Sequence, residues 1–282
     1  MKINGSTNIV GLIGHPVEHS FSPPMHNAAF KALGMDYAYV AFDVNPNDLK
    51  SAICGANALN IKGFNVTIPH KIEVMKYLSE LDDVARLIGA VNTIDFKNLK
   101  GYNTDGIGAI KAIEEVTSVK DKNVVVAGAG GASRAISFYL AKYGVESLTI
   151  LNRNVDKAQG LASDVLGSDL IGKVNADSIS EINDYLKDAD ILVDTTPLGM
   201  DPHIDDEPIA KAENMHEDLV VFDAVYNPNE TVLLKEAIKA GAKPVYGIKM
   251  LLYQGAESFK IWTGEDAPID VMEKALRDTL NL

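Results

Sequence analysis

Short apolar runs alternate with segments of helical periodicity along the first hundred residues of the chain. The runs have the length of buried strands, and between them apolar residues recur every three or four positions, as they do on one face of a helix. This order is typical of an α/β protein with mainly parallel sheets. The predicted elements are a strand at 9–13, a helix at 23–33, a strand at 37–44, a helix at 46–58, a strand at 61–68 and a helix at 70–78.

The alternation continues to the C-terminus after a hairpin at 90–96 and 99–102 and a helix at 105–116. The texture of the sequence changes near 118–122 without a low-complexity linker, so we expect the helix at 105–116 to bridge two lobes. The predicted division is 1–107, 108–246 and 247–282. The later predicted elements are strands at 123–127, 147–151, 190–195, 219–223 and 244–246, with helices that end at 143, begin at 155 and span 231–240, 249–262 and 269–280.

The composition is that of an ordinary globular protein, with 46% hydrophobic and 23% charged residues. No apolar run approaches the roughly 18 residues that span a bilayer, and the polar N-terminus does not resemble a signal peptide. The net charge of −13 argues against nucleic acid or an anionic membrane as a partner, because those surfaces attract clusters of Lys and Arg. The single cysteine, Cys54, rules out an internal disulfide and fits a reducing compartment. We therefore expect a soluble, cytoplasmic protein.

A glycine-rich segment at 128–133 follows the predicted strand 123–127 and opens a helix. Gly128, Gly130 and Ser133 occupy the three positions of the dinucleotide fingerprint G-x-G-x-x-G/A, with serine at the third. The first glycine makes the tight turn, the second lets the backbone approach a pyrophosphate, and the helix N-terminus offers N–H groups to phosphate oxygens. Its place between a strand and a helix favours a dinucleotide site over a tight turn without a ligand.

The end of the next predicted strand carries a cation where an NAD enzyme carries an acid. The strand 147–151 ends in Asn152, Arg153 and Asn154. The planar guanidinium of Arg153 can bind a 2′-phosphate, and Lys157 lies one helical turn further on. The alternative is a solvated, basic helix start. In a chain this acidic, the pattern favours NADP.

Small hydroxyl and amide side chains collect near predicted strand ends in the first half of the chain. Ligands of parallel α/β sheets bind beyond the carboxyl ends of the strands, so these groups suit a small molecule covered in hydroxyls. Each one alone could instead be a turn residue or a cap; Ser22, before two prolines, is an example. The residues are Ser20, Ser22, Asn65, Thr67, Asn92, Asn103, Thr104 and Asp105.

Lys71 and Asp105 are the acid–base candidates. Lys71 follows Pro69 at the start of a predicted helix, where a cation opposes the helix dipole and gains nothing locally. A nearby carboxylate would explain that position. The alternatives are a surface lysine and an aspartate that caps the following helix.

Other site chemistries have no matching pattern. The six histidines show neither H-E-x-x-H nor cysteine-rich metal spacing, so we expect no metal. Phosphate-loop kinase and Gly-x-Ser-x-Gly hydrolase signatures are absent. Cys54 lies in an apolar helix, and we expect it to be a core residue, as we do for Trp262.

The motifs named above belong to a longer series of segments that occur in a fixed order. They are His-Ser-Phe-Ser-Pro at 19–23 with His-Asn at 26–27, Gly-Phe-Asn-Val-Thr-Ile-Pro-His-Lys at 63–71, Gly-Ala-Val-Asn-Thr at 89–93, Gly-Tyr-Asn-Thr-Asp-Gly at 101–106, the glycine loop at 128–135, Asn-Arg at 152–153, Thr-Thr-Pro-Leu-Gly-Met at 195–200, Asp-Ala-Val-Tyr-Asn-Pro at 223–228 and Gly-Ile-Lys-Met-Leu-Leu-Tyr-Gln at 247–254. In the identity and the order of these segments, the chain resembles the shikimate dehydrogenase family over nearly its whole length.

The resemblance implies the reversible reduction of 3-dehydroshikimate to shikimate by NADPH, a step of chorismate and aromatic amino-acid biosynthesis. It implies an N-terminal α/β substrate-binding catalytic domain at 1–107 and a Rossmann-like NADP-binding domain at 108–246. The C-terminal helices at 247–282 are expected to pack back on the first domain, so that Gln254 reaches the substrate. The expected partners are small molecules, and the protein is expected to be a monomer or a homodimer.

The resemblance also assigns roles to individual residues. It implies that Ser20 and Ser22 hold the substrate carboxylate with Tyr226 nearby, and that Lys71 and Asp105 are the catalytic pair. The implied hydroxyl-binding residues are Asn65, Thr67, Asn92, Asp105 and Gln254. The implied cofactor residues are Gly128, Ala129, Gly130, Gly131, Ala132, Asn152, Arg153, Lys157, Thr195, Gly247 and Met250.

Two residues depart from the family pattern. Asp194 stands where the family often has Asn, and Asn154 stands where it often has Thr or Ser. Both put the strictness for NADP in question. The alternative functions are a quinate/shikimate dehydrogenase of broader specificity, a methylenetetrahydrofolate dehydrogenase, which the Ser-x-Ser and Asn-Thr-Asp-Gly segments disfavour, and a ligand-sensing relative without catalysis. Ser22 as the second serine resembles shikimate-selective members.

Overall fold

The computed structural model describes residues 3–282 and divides them into two compact units. Unit 1 contains the N-terminal residues as far as Thr104 together with Gln254–Leu282, and unit 2 is Asp105–Tyr253. The sequence placed the divisions after 107, inside a predicted helix, and after 246, at the end of a predicted strand. The structure divides the chain at the start of one helix and inside another.

The N-terminal part of unit 1 has six strands and three helices. They are β1 (Asn8–Gly14), α1 (Ser22–Ala32), β2 (Tyr37–Asp43), α2 (Leu49–Ala58), β3 (Gly63–Val66), β4 (Glu80–Leu81), α3 (Asp83–Ile88), β5 (Thr93–Asp95) and β6 (Lys100–Tyr102).

Residues 105–282 form seven α-helices and six strands, of which α10 and the part of α9 from Gln254 onward belong to unit 1 and the rest to unit 2. The elements are α4 (Asp105–Glu114), β7 (Asn123–Ala127), α5 (Gly131–Lys142), β8 (Ser147–Asn152), α6 (Val155–Leu166), β9 (Val174–Ser178), α7 (Ile182–Tyr185), β10 (Ile191–Asp194), β11 (Val220–Asp223), α8 (Val232–Ala240), β12 (Lys243–Val245), α9 (Gly247–Thr263) and α10 (Ile269–Leu280).

The sheet of unit 1 is mixed, with the strand order β2-β1-β3-β5-β6-β4. β1 pairs in parallel with β2 and β3, whereas β5 is antiparallel to both β3 and β6, which confirms the predicted hairpin. One face buries Ile13, Phe64, Val66 and Ile94 against α2 and its surroundings. Asn65 and Thr93 are register partners, so the polar ends of β3 and β5 meet at one edge of the sheet.

The sheet of unit 2 is entirely parallel, with the order β12-β11-β10-β7-β8-β9. Numbered from its first strand, this is the 3-2-1-4-5-6 order of a doubly wound dinucleotide-binding fold. The order reverses between β7 and β10, and ligands of such sheets bind outside the carboxyl ends of the strands at that point. The predicted α/β class, with one Rossmann-like domain, is confirmed.

The C-terminal helices of unit 1 pack against its sheet and α1. The ring of Phe259 on α9 stacks on Phe30 of α1 with centroids 5.0 Å apart, and α10 lies along α1. The Trp262 indole N–H donates to the carbonyl of Ile94, at 3.0 Å. The indole occupies the space beside Gly63, where the Cβ of any other residue would collide with it.

The predicted helix at 70–78 is wrong. Only a single 3₁₀ turn, Glu73–Tyr77, forms there. The carbonyl of Lys71 accepts from the N–H of Val91, at 2.8 Å, and the N–H of Met75 turns instead to the carbonyl of Ile72. The N–H of Val74 does reach the carbonyl of His70 at 3.0 Å, but the α-helical pattern does not continue beyond that one bond.

Two further expectations differ from the structure. Cys54 is exposed, because α2 buries the positions of Leu49, Ile53 and Ala56 and turns Cys54 away from the core. The strand β9 was not predicted, since its sequence, Val-Asn-Ala-Asp-Ser, is largely polar and it lies at the sheet edge, where one side stays in water.

Within residues 3–282, no helix has both the length and the apolar character needed to cross a bilayer.

Candidate active site

A buried polar network occupies the strand ends of unit 1. The amide Nδ2 of Asn65 donates to Ser258 Oγ at 2.9 Å and to Thr93 Oγ1 at 3.1 Å, and Oδ1 accepts from the Tyr39 hydroxyl at 2.8 Å. Nδ2 also lies 3.3 Å from the carbonyl of Asn92. Both amide hydrogens of Asn65 are thus committed within the protein, and a lone pair of Oδ1 is what remains for a ligand.

Asn92 fixes the position of Thr104, the last residue before Asp105. Its Nδ2 donates to Thr104 Oγ1 at 3.0 Å, and its Oδ1 accepts from the Thr104 N–H at 2.8 Å. All three of Asn92, Thr93 and Thr104 are buried. This is the arrangement expected of a side chain that sets the geometry of a strand end, and it joins two of the sequence motifs.

Ser20 and Ser22 lie at the start of α1. Phe21 is the N-cap residue and Ser22 is the first residue of the helix, so the alternative reading of Ser22 as a cap is wrong. The N–H of Ser22 donates to Ser20 Oγ at 3.3 Å. Ser22 is buried and Ser20 is half-buried, so two hydroxyls stand together at a helix N-terminus, which suits an anionic group.

Lys71 is half-buried, and its backbone is anchored by two neighbours. Its carbonyl accepts from Val91 N–H, as described above, and the adjacent His70 is buried with its Nε2 2.7 Å from the carbonyl of Val44. The lysine stem therefore starts at a fixed point beside Asn92. Thr67 is half-buried and its methyl packs against Gly14, where a Cβ would collide with it.

The predicted catalytic and substrate residues fall in both units. Ser20, Ser22, Asn65, Thr67, Lys71, Asn92 and Gln254 belong to unit 1, whereas Asp105 and Tyr226 belong to unit 2. Asp105 is half-buried at the first position of α4. Burial raises the pKa of the Tyr226 phenol, so this hydroxyl stays protonated at neutral pH.

The turn after β7 has the geometry of a dinucleotide loop. Gly128 has φ +107°, and a Cβ there would collide with Thr195 Oγ1. The Ser133 hydroxyl donates to the Gly128 carbonyl at 2.6 Å, so the serine at the third fingerprint position stabilises the turn. Gly130 and Gly131 have open space where a Cβ would stand.

The helix α5 begins at Gly131, and among the described residues no side chain caps its first turn. The N–H groups of that turn remain for phosphate oxygens, to which the helix dipole also contributes. Exposed Gly130 and half-buried Ala129 and Ala132 leave room above them. The residues present therefore fit a dinucleotide pyrophosphate.

The end of β8 presents two cations to solvent. Arg153 and Lys157 are exposed, and in the described part of the chain no carboxylate forms an ion pair with Arg153. Asn154 caps α6 by accepting from the N–H of Lys157 at 3.2 Å, and Asn152 Nδ2 donates to the Asn154 carbonyl at 2.9 Å. Asn154 thus supplies the cap that Ser or Thr would supply, and this departure leaves the local geometry intact.

The first turn of α9 is held close to the segment after β11. A Cβ on Gly247 would lie 2.4 Å from the carbonyl oxygen of Val225 and 2.7 Å from that of Ala224, so only glycine fits. Met250 follows on the same helix and is half-buried. Gln254 is buried, and its carbonyl accepts from the Ser258 hydroxyl at 3.0 Å.

Sequence reasoning missed Tyr39, Ser258 and the pairing of Asp194 with Asp223. Ser258 follows Gln254 by one helical turn, so a test of α9 for polar positions four residues apart could have found it.

The ring of Tyr39 stacks on the ring of His26, with centroids 4.5 Å apart. Burial lowers the pKa of His26 to about 3, so this ring is neutral. No sequence signal marks Tyr39.

Three family models match successive parts of the chain. The shikimate dehydrogenase substrate binding domain matches residues 12–94, the shikimate / quinate 5-dehydrogenase family matches 111–231, and the shikimate 5'-dehydrogenase C-terminal domain matches 247–277.

Individual relatives are similar over the full length. A shikimate dehydrogenase (NADP(+)) of Methanobrevibacter smithii is 75% identical over 99% of this chain and 100% of its own. A crystal structure of a shikimate dehydrogenase in complex with NADP+ is 54% identical, covers 99% of this chain and 98% of its own, and has a TM-score of 0.91. A shikimate 5-dehydrogenase of Listeria monocytogenes in complex with shikimate and NAD is 35% identical, with a TM-score of 0.93 over 98% of each chain. The chain therefore belongs to the shikimate dehydrogenase family of NADP-dependent oxidoreductases.

Proposed function

We propose that the chain catalyses the reversible, NADPH-dependent reduction of 3-dehydroshikimate to shikimate, with substrate binding in unit 1 and dinucleotide binding in unit 2. The observation that most directly supports this proposal is the hydrogen bond from Val91 N–H to the Lys71 carbonyl, at 2.8 Å. It fixes the backbone of Lys71 next to Asn92, so the lysine side chain starts beside the buried network. A cation beside hydroxyl-binding groups is what a polyhydroxylated keto acid requires.

The substrate side of the proposal uses hydroxyl, amide and carboxylate groups. Ser20 and Ser22 bind the carboxylate of the substrate, and Tyr226 donates to the same group. Asn65, Thr67, Asn92, Asp105 and Gln254 bind the ring hydroxyls. The buried network of Asn65 and Asn92 supports these assignments, because it holds both amides in one orientation.

The cofactor side uses the glycine turn and the basic strand end. The backbone of Gly128, Ala129, Gly130, Gly131 and Ala132 holds the pyrophosphate, supported by Thr195. Asn152, Arg153 and Lys157 hold the adenosine 2′-phosphate, and Gly247 and Met250 contact the nicotinamide. When bound, NADPH supplies the hydride that reduces the ketone.

The acid–base work falls to Lys71 and Asp105. As the carbonyl oxygen gains negative charge, the Lys71 ammonium stabilises it and delivers a proton from Nζ. The Asp105 carboxylate accepts from a substrate hydroxyl. In the reverse direction, neutral Lys71 takes the proton from the hydroxyl of shikimate.

A purified-enzyme assay tests the proposal by following the absorbance of NADPH. Shikimate with NADP+ should give far faster turnover than quinate with NADP+, because a site that pairs buried polar groups rejects a misfitting ligand. Turnover of quinate as fast as that of shikimate would favour the broader quinate/shikimate function instead. No turnover of either would favour a sensing relative. We further propose that the protein is cytoplasmic and that it is a monomer or a homodimer. Sedimentation analysis tests the oligomeric state.

A further inference from the structure

Two carboxyl groups lie next to each other at the carboxyl ends of β10 and β11. Asp194 and Asp223 are register partners in adjacent parallel strands, so their side chains leave the sheet on the same side. Asp194 is 1% exposed and Asp223 is 0% exposed. Two like charges buried side by side on neighbouring strands would repel each other strongly.

Nothing in their surroundings neutralises two charges. On the other side of Asp194 the register partner in β7 is Ala127. The groups that donate hydrogen bonds to the pair belong to Thr196, Val225 and Thr231, all of which are uncharged. Tyr226 and the exposed Glu230 are the ionisable residues of the adjoining segment, and neither is a cation at neutral pH. In residues 3–282, no Lys, Arg or His forms an ion pair with either carboxyl.

The hydrogen-bond donors favour the charge on Asp223. Its oxygens accept from the N–H of Val225 at 2.9 Å and from the hydroxyl of Thr231 at 2.6 Å. Asp194 Oδ1 accepts from the N–H of Thr196 at 2.8 Å. Burial, and then the charge of Asp223, raise the pKa of the Asp194 carboxyl to about 8. Burial also raises the pKa of the Asp223 carboxyl, to about 6. The pair therefore favours sharing one proton near neutral pH, and the additional donor on Asp223 favours Asp194 as its carrier.

Both strand ends lead directly into the dinucleotide site. Thr195 follows Asp194, donates its hydroxyl to the Ala127 carbonyl at 2.7 Å, and fills the space beside Gly128. Ala224 and Val225 follow Asp223, and their carbonyls form the surface against which Gly247 packs. A displacement of either strand end would thus move groups that shape the cofactor loop.

We propose that Asp194 is a positioning residue of the dinucleotide site and that it acts in its protonated, neutral form. Ionised Asp194 places a second buried charge beside Asp223, and the strand ends can relieve it by separating or by admitting water. Either response displaces Thr195 from Gly128 and weakens dinucleotide binding. This inference rests on the proposed dinucleotide site of unit 2, and it adds a requirement for one proton.

Fluorescence titration of NADPH, without substrate, tests the requirement on three proteins. If binding needs the neutral form, the wild-type dissociation constant should rise about 30-fold between about pH 6.5 and about pH 9.5, since only a small fraction of the protein is then competent. Asp194→Asn, which is neutral at every pH and similar in shape, should lose most of this rise. Asp190→Asn is the matched control, because Asp190 precedes the same strand but is paired with Lys122 at 2.9 Å. It should keep the wild-type rise.

A rise in Asp194→Asn equal to that of wild type would overturn the inference while leaving the dinucleotide site in place. Failure of wild type to bind NADPH at about pH 6.5 would instead overturn the site itself, and the inference with it. A measurement on unmutated protein guards against a variant that does not fold. Infrared spectroscopy of the wild type should show a protonated carboxyl band near neutral pH that disappears with the same midpoint as NADPH binding. Absence of that band near neutral pH would overturn the proposal.

Discussion

The hydroxyl oxygen of Ser258 lies 2.9 Å from the amide nitrogen of Asn65, although the two residues are separated by 193 positions in the sequence. Thr93 Oγ1 is 2.8 Å from the same hydroxyl. One small side chain on α9 thus ties the C-terminal helix to the ends of β3 and β5. The amide of Asn65, which we propose binds the substrate, depends on this contact for its orientation.

Ser258→Ala should therefore raise the KM for shikimate several-fold and lower the free energy of unfolding by about 0.5–1.5 kcal/mol, the net contribution of one hydrogen bond, because the Asn65 amide keeps only its longer contacts with Thr93 Oγ1 and the Asn92 carbonyl. Steady-state kinetics and urea unfolding measure the two effects. Thr279→Ala is the matched control, because the Thr279 hydroxyl also donates to the carbonyl four residues before it but is exposed on α10. Equal losses in both variants would mean that Ser258 matters only for its helix.

Lys71→Ala should lower kcat by roughly 10²–10⁴-fold, the usual contribution of a positioned acid–base group. The KM for shikimate should change much less, because the serines are assigned to the carboxylate. Lys62→Ala, whose Nζ donates to Asn60, is the control and should keep the wild-type kcat. A kcat within a few-fold of wild type, combined with a steep rise in KM, would make Lys71 a binding residue.

Arg153→Ala should weaken NADPH about 10- to 150-fold, which corresponds to a charged hydrogen bond of about 1.5–3 kcal/mol. NADH, which lacks the 2′-phosphate, should bind almost as before. Binding titrations with both cofactors measure this, and Arg277→Ala on α10 is the control. The salt dependence of NADPH affinity should also be smaller in the variant. Equal weakening of NADPH and NADH would show that Arg153 does not select the cofactor.

The buried carboxyl pair should also give the protein a pH-dependent stability. The pKa of Asp194 is raised above its ordinary value of 3.8 to about 8 in the folded protein. The folded state therefore binds the proton more tightly than the unfolded chain does, and the stabilisation is complete below about pH 4 and is lost as the pH rises towards 8. Denaturant unfolding should show that Asp194→Asn gains stability relative to wild type as the pH increases. A constant difference between the two proteins from about pH 5 to about pH 9 would contradict this.

Gly63→Ala should lower the free energy of unfolding by about 1–3 kcal/mol, because a Cβ at that position collides with the indole of Trp262 and the site is already filled. Gly55→Ala is the control. Gly55 lies inside α2 with open space around it, so alanine there should stabilise the protein by about 0.5–1 kcal/mol. Thermal unfolding of both variants measures the contrast. Equal changes in melting temperature in the two variants would show that the indole moves aside for the added methyl group.

The sequence predicts regular elements well where one physical signal dominates. The apolar strands β7 and β10 and the glycine turn after β7 follow from local pattern alone. The helix at 70–78 does not, because its failure depends on Val91, which is distant in sequence and takes the carbonyl of Lys71. β9 carries too little apolar character for any local rule to find it.

The candidate site divides in the same way. Gly128 and Arg153 are predictable, since each stands at a fixed offset from a strand. Tyr39 and Ser258 are not, because their importance comes from contacts with Asn65 that only the folded chain creates. Asp194 is visible in the sequence as a departure from the family, but its burial beside Asp223 is a property of the sheet register.

The commitment of both Asn65 amide hydrogens has a consequence for inhibitor chemistry. A side chain that offers only an oxygen lone pair rewards a ligand that brings its own hydrogen and penalises one that brings another lone pair. Replacing the ring hydroxyl that we propose binds Asn65 with fluorine or a methyl ether would set two acceptors against each other. An amine at the same carbon, which keeps a hydrogen to donate, would be tolerated, and analogues for this enzyme are best varied in that direction.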